Sequence, residues 1–207
     1  MPFSHPIFSK ELLDSAYTYA QYRKLLDDLM AEGKTTGENQ SEDLIHYAKL
    51  NIARMKKWEK TLKLETELKS LLGSLPQKEI WVVLTEGWCG DAAQVVPAFD
   101  KMKEATDKID LKLLLRDEHL DVMDAYLTNG GRSIPKLIRL NAETGEEVGT
   151  WGPRPEPVQE MVMAYKDDPN GQPFAEFAEA IHAWYAKDKQ QTLQAEFADM
   201  LKEEMAT

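Results

Sequence analysis

The chain of 207 residues is 43% hydrophobic and 29% charged, a composition typical of a folded globular protein rather than a disordered one. Its formal net charge of -11 disfavours nucleic acids and anionic membranes as partners. No apolar run approaches the roughly 20 residues that span a bilayer, and residues 1–9 show no secretory signal. Because the single cysteine excludes an internal disulfide, we expect a cytoplasmic protein.

Residues 1–75 are predicted to form a helical hairpin. Apolar side chains recur every three or four residues after Ser9, a favourable N-cap residue, and Gly33 ends this first helix. Ser41 caps a second helix of about 30 residues, about 45 Å long, that stops before Pro76. Charges balance in residues 1–75, whereas the rest of the chain carries the whole net charge. A boundary between two regions is therefore expected near Pro76.

Beyond Pro76, short β-rich apolar runs alternate with helical segments. The predicted order is a strand over 79–85, a helix over 89–107, a strand over 109–115, a short helix over 120–127, strands over 136–140 and 147–151, and a helix over 157–165. Pro173 opens a last helical stretch, in which residues 187–191 are either a bend or an exposed face. We expect the regions 1–75, 76–168 and 169–207 to form one compact unit.

Three features give the chain a resemblance to a known family. The tripeptide Trp-Cys-Gly at 88–90 follows the first strand, Pro97 lies inside the next helix, and Ser-Ile-Pro at 133–135 opens a strand. Over residues 78–166 the chain resembles the thioredoxin-like superfamily, and in particular a bacterial variant with the single-cysteine motif Trp-Cys-Gly-Asp-Ala. The resemblance implies an α/β fold with a central mixed sheet of about four strands and flanking helices. The N-terminal hairpin and the long C-terminal helical extension are additions to that fold.

Cys89 is the candidate catalytic residue. At the start of a helix, free N–H groups and the helix dipole favour its thiolate form. Its neighbours include Asp91, whose negative charge disfavours that thiolate, so Cys89 should be less acidic than a thioredoxin's attacking cysteine. The resemblance also implies a second cysteine, but Ala92 stands at that position and removes the two-thiol cycle. The active-site neighbours are Trp88, Gly90, Asp91 and Ala92.

The resemblance also implies a substrate groove formed by Ile134 and Pro135, with a cis peptide bond before Pro135. A trans-proline that starts an edge strand is the alternative. Arg116 and Arg132 are candidate charge partners, which either offset Asp91 or hold an anion such as a carboxylate of glutathione. A structural ion pair of these arginines with Asp91 or Asp117 is the other interpretation.

Two further patterns bear on the site. The rigid loop Trp-Gly-Pro-Arg-Pro at 151–155 either caps the groove or begins with a core tryptophan at a strand end. The four histidines lie far apart in the sequence without ligand spacing, so no metal site is expected. No glycine-rich phosphate loop follows a strand. No cofactor is expected, apart from glutathione as a co-substrate.

Two functions from different classes remain open. The first is a monothiol oxidoreductase in which Cys89 exchanges disulfides with a protein or small thiol substrate and an external thiol resolves the product. The second is a non-catalytic thioredoxin-fold binding or interaction module with a degenerate active site. A thiol peroxidase is disfavoured, because such sites place threonine three residues before the cysteine and this chain has Glu86 there. The sequence does not determine the oligomeric state.

Overall fold

The computed structural model describes residues 3–206, and their fold is a mixed sheet surrounded by helices. The strands have the bounds predicted from the sequence to within one residue: β1 Glu79–Thr85, β2 Ile109–Leu115, β3 Lys136–Asn141 and β4 Glu147–Trp151. The helices of the described residues are α1 Lys10–Ser15, α2 Tyr19–Ala31, α3 Glu42–Thr61, α4 Thr66–Gly73, α5 Gly90–Glu104, α6 Leu120–Ala125, α7 Glu156–Asp167, α8 Phe174–Asp188 and α9 Gln191–Met205, with a short 3-10 helix at Arg116–Glu118.

The sheet has the order β2-β1-β3-β4. β1 runs parallel to β2 and antiparallel to β3, and β4 is antiparallel to β3. The central strand β1 is buried on both faces, which explains its continuous apolar run. The Trp-Cys-Gly motif follows the carboxyl end of β1 and therefore lies at one end of a rigid sheet.

The N-terminal helices differ from the prediction, because each of the two expected helices is broken into two. The first breaks before Thr18, whose side chain begins α2 in a capping box with Gln21. In that break, Tyr17 exchanges two backbone hydrogen bonds with Leu113 at the free edge of β2. The second breaks after Thr61. Helical spacing of apolar residues continues across both breaks, so periodicity alone did not reveal them.

The C-terminal extension is also two helices, and the alternative of a bend is the one observed. Lys189 and Gln190 have φ values of 55° and 65°, which turn the chain sharply between α8 and α9. Phe197 of α9 packs in the core against Trp81, Phe99 and Trp151. The extension is therefore attached to the sheet through aromatic contacts.

α3 packs along α5, the helix that follows the Trp-Cys-Gly motif. α8 lies against α7 and reaches the first turn of α5 through His182. No helix within residues 3–206 combines the length and the apolar character needed to cross a membrane. Helices from the N-terminal and C-terminal additions thus surround the start of α5.

Candidate functional site

Cys89 is the N-cap residue of α5, and three residues separate it from the end of β1. Its Sγ accepts a hydrogen bond from the backbone N–H of Ala92 at 3.4 Å and donates one to the carbonyl oxygen of Ile134 at 3.3 Å. The peptide bond between Ile134 and Pro135 is cis. The folded chain thus joins two motifs that lie 45 residues apart in the sequence.

The Cys89 thiol is held in its neutral form. Only 9% of the residue is exposed. Burial, followed by the negative charge of Asp91, raises the pKa of Cys89 to about 12, although the backbone hydrogen bond from Ala92 acts in the opposite direction. The helix N-terminus therefore does not compensate for the loss of water around the sulfur.

Asp91 forms its ion pair with a residue that the sequence did not suggest. Arg154 Nε and Nη2 lie 2.9 and 2.8 Å from Asp91 Oδ2, and the Tyr185 hydroxyl donates to Asp91 Oδ1 at 3.0 Å. Arg154 comes from the 151–155 loop, whose Trp151 packs in the core, while Tyr185 belongs to α8. The alternative in which Arg116 or Arg132 offsets Asp91 is not observed, because Arg154 already binds that carboxylate. The other alternative, a structural ion pair with Asp117, is the one that Arg116 forms.

Arg116 and Arg132 have partners of their own. Arg116 Nη2 lies 2.7 Å from Asp117 Oδ1, and its guanidinium stacks on the ring of Trp88 at 4.8 Å. Arg132 pairs with Asp124 at 2.6 Å on the surface. Arg116 also donates to the backbone oxygen of Arg132. These contacts make Arg116 a structural support for Trp88 and for the loop that precedes Ile134.

A pocket of about 560 Å³ opens beside Cys89. Its walls come from α3, α7 and α8, which the sequence places among the additions or at the periphery. Most of the lining is apolar and aromatic, which is typical of small-molecule sites. The polar groups on the wall include Asn51, Arg54 and His182, and the main apolar ones are Leu44, Tyr47, Val162, Phe174, Phe177 and Ile181.

His182, which looked isolated in the sequence, faces the motif. The indole N–H of Trp58 donates to Gln94 Oε1 at 2.6 Å, so the Gln94 amide NH₂ must be the donor to His182 Nδ1 at 3.0 Å. The proton of the neutral ring is thereby assigned to Nε2. Burial, followed by the positive charge of Arg54, lowers the pKa of His182 to about 4. No local spacing signals this contact, because it joins residues 88 positions apart.

Glu86, three residues before Cys89, has partners that the sequence did not reveal. Its carboxylate accepts hydrogen bonds from the Thr36 hydroxyl and, at 2.8 Å, from the Asp117 backbone N–H. The Thr36 hydroxyl oxygen accepts a hydrogen bond from the backbone N–H of Gly87. Burial raises the pKa of Glu86 to about 7. In the sequence, the only indication of this role for Glu86 is that a charged residue directly follows a buried strand.

Among residues 3–206, no group of three or more histidine, cysteine or acidic side chains is arranged to hold a metal ion. The polar groups around Cys89 can donate hydrogen bonds and attract an anion. They do not supply a base for Cys89, because Asp91 is already bound to Arg154 and His182 accepts through Nδ1 from Gln94.

A Trp-Cys-Gly motif at a helix N-terminus, beside a cis-proline loop on a mixed sheet, defines a thioredoxin-like fold. The family model described as thioredoxin matches residues 37–167, more than half of the chain, and the chain belongs to that family. No curated protein matches.

Two solved structures share this fold over nearly the whole chain. A protein of unknown function from Pseudomonas aeruginosa, PA1234, is 16% identical with a TM-score of 0.54, and the match covers 90% of this chain and 98% of that one. An HIV epitope-scaffold is 17% identical with a TM-score of 0.57, and the match covers 93% and 96%. At such identities the likeness establishes the fold and not the activity.

Proposed function

We propose that this protein is a thioredoxin-fold binding protein that uses the pocket beside Cys89 to hold a ligand without turning it over. The observation that carries this proposal is the buried hydrogen bond from the Cys89 thiol to the carbonyl oxygen of Ile134. This bond engages both the thiol proton of Cys89 and the carbonyl oxygen of Ile134. These are the nucleophile and the substrate-pairing group that the resemblance implies for an exchange enzyme.

The thiol chemistry supports the same conclusion. Exchange requires a thiolate, and because burial raises the pKa of Cys89 to about 12, far less of this thiol is ionised at pH 7 than of an exposed cysteine. Ala92 provides no second sulfur to resolve a mixed disulfide. The raised pKa of Cys89 and the absence of a second cysteine both reduce catalysis, and neither impairs a binding pocket.

The space for a ligand lies in the pocket beside Cys89 and not along the Ile134 backbone. Because Ile134 is buried and its carbonyl is already paired, an extended peptide cannot bind to that carbonyl without displacing Cys89. The open space lies instead between α3 and α8, where a compact ligand fits.

We extend the proposal to membership of the bacterial variant subgroup, which rests on the Trp-Cys-Gly-Asp-Ala motif at 88–92 alone.

Monothiol exchange is the second candidate, and one observation favours it. Cys89 lines the pocket, and its Sγ accepts a hydrogen bond from the Ala92 N–H, a contact that stabilises a thiolate. The Cys89 thiolate would attack one sulfur of a disulfide such as oxidised glutathione. A mixed disulfide would form, one thiolate would leave, and a second external thiol would restore Cys89. This route requires a substrate that enters past α8.

Reaction with oxidised glutathione separates the two candidates. We expect mass spectrometry to show that native Cys89 forms the mixed disulfide at least tenfold more slowly than a cysteine in an unstructured peptide at pH 7. In denaturing urea the two rates should become equal, because the folded pocket is the cause. Cys89→Ser serves as the background. A native rate above that of the peptide would favour the monothiol enzyme and overturn the binding proposal.

A further inference from the structure

We propose that the ligand of the Cys89 pocket is a small amphipathic anion, whose negatively charged head group pairs with Arg54 and whose apolar body lies between α3 and α8. This inference rests on the proposed function and names its ligand class. The occupant follows from the charges and the shape of the pocket wall.

Arg54 is a cation without an anionic partner. It extends from α3 to the pocket wall, where its Nη1 donates to Asn51 Oδ1 at 2.7 Å. In the part of the chain that the structure describes, no carboxylate forms an ion pair with it. Burial lowers the pKa of Arg54, yet an arginine side chain stays protonated at neutral pH. A partly buried, unpaired guanidinium gains most from a carboxylate, phosphate or sulfonate ligand.

Asn51 holds this guanidinium in place. The Asn51 side chain is fully buried, and its amide Nδ2 donates to the backbone oxygen of Gly87 at 3.0 Å. That bond turns the Asn51 amide so that Oδ1 faces Arg54. The cation is therefore preorganised by the loop that carries the Trp-Cys-Gly motif, which reduces the entropy that a ligand must overcome.

His182 provides a second donor close to Arg54. Its Nε2 carries the ring proton, is not buried, and has no acceptor among residues 3–206. The imidazole lies directly against Gly90, where an added Cβ would be 2.8 Å from His182 Cε1. A neutral N–H in the same pocket as the Arg54 guanidinium suits an anionic head group that accepts hydrogen bonds from both.

The acidic residue of the pocket does not repel such an anion. Asp91 is neutralised by Arg154 and receives the Tyr185 hydroxyl. Lys166, which also lines the pocket, forms no ion pair with a carboxylate of the described residues. In a chain of net charge -11 the pocket is therefore locally positive.

The remaining wall fits an apolar body. Tyr165 and Phe177 stack with ring centroids 4.0 Å apart, and Phe174, 62% exposed, is the most exposed large hydrophobic side chain of the described residues. The volume of about 560 Å³ is within the range of small-molecule sites. Neither a metal ion nor a fully polar anion would use this surface.

Calorimetric titration of the full-length protein with octanoate, 1-octanol and acetate tests the proposal. We expect octanoate to bind at least tenfold more tightly than 1-octanol, and acetate to give no measurable binding. Arg54→Gln, which retains an amide donor for Asn51, should remove the preference for octanoate and leave 1-octanol unchanged. Arg54→Lys should lose less affinity than Arg54→Gln. The matched control Arg132→Gln removes an arginine outside the pocket and should change neither affinity.

A pocket-filling variant, Ala178→Trp, separates this inference from the proposed function. It should abolish binding of octanoate and 1-octanol together. If the two probes bind wild type equally and Arg54→Gln changes neither, the anion proposal fails while the pocket remains a binding site. If Ala178→Trp leaves the affinities for octanoate and 1-octanol unchanged, the pocket is not the site and both proposals fail. Absence of octanoate binding to wild type also overturns the anion proposal. Thermal melting of each variant verifies that it is folded.

Discussion

The guanidinium of Arg154 lies 2.8 Å from the carboxylate of Asp91, in the first turn of the helix that begins with Cys89. Both side chains are largely buried, and their opposite charges act on the Cys89 sulfur in opposite directions. The negative charge has the larger effect on the pKa of Cys89. Arg154 of the 151–155 loop thus partly offsets the effect of Asp91 on the pKa of Cys89.

Asp91→Asn should lower the pKa of Cys89, because it removes the raising charge and leaves Arg154 unpaired beside the sulfur. The pH dependence of alkylation by iodoacetamide measures this pKa. Asp124→Asn removes an acid that pairs with Arg132 on the surface and should leave it unchanged. Arg154→Gln should shift it upward. An unchanged pKa in Asp91→Asn would show that Asp91 does not act on the thiol.

Gly90→Ala should destabilise the protein by about 1–3 kcal/mol, the usual cost of overpacking a tight contact. The new Cβ would lie 2.8 Å from His182 Cε1, and the ring cannot turn away without losing its bond to Gln94. Displacement of α8 should also make Cys89 react faster with iodoacetamide. Urea denaturation and alkylation rates measure the two effects.

The control for that clash is a double-mutant cycle. Gly90→Ala combined with His182→Ala should cost less than the sum of the single changes, because the ring that obstructs the methyl group is gone. Gly73→Ala, at a helical glycine with open space around it, should not destabilise. Additive effects to within about 0.5 kcal/mol would show that Gly90 and His182 are not in contact.

Glu86 should make stability fall as pH rises from about 4.5 to above 7. Its pKa is about 7 in the folded protein, above the ordinary value of 4.5, so the folded state binds the proton more tightly than the unfolded state. This contribution to stability is present in acid and is lost as pH rises through 7. Its size is at most about 3 kcal/mol. The difference in unfolding free energy between wild type and Glu86→Gln, measured at pH 5 and 8, isolates it. An equal difference at both pH values would contradict the assignment.

Arg139→Met should destabilise by about 3–5 kcal/mol, since it leaves the buried Glu79 without its guanidinium. Arg139 is fully buried and donates to Glu79 and to Glu204, with four bonds between 2.7 and 2.9 Å. Glu204→Gln should cost about 1 kcal/mol, because that side chain is partly exposed and keeps an acceptor. Urea denaturation compares them with Arg132→Met on the surface. A cost below about 1 kcal/mol for Arg139→Met would contradict the role of Arg139 as the buried partner of Glu79.

The sequence alone determined the sheet and the position of the site. The strand β1 is buried on both faces and therefore reads as an unbroken apolar run, and Trp-Cys-Gly followed by Pro97 marks the helix after it. These are local signals, because strand burial and helix entry depend on neighbours within a few residues. The missing second cysteine is equally local, and by itself it excludes a two-thiol cycle within one chain.

Only the tertiary structure decided what surrounds the sulfur. Arg154, His182 and Arg54 come from a loop and two helices that are distant in the chain, and no spacing in the sequence connects them with Cys89. The state of a thiol depends on the water it loses and on charges within a few ångströms, whatever their separation along the chain. The same motif that favours a reactive thiolate at a helix N-terminus therefore holds a buried thiol with a raised pKa here.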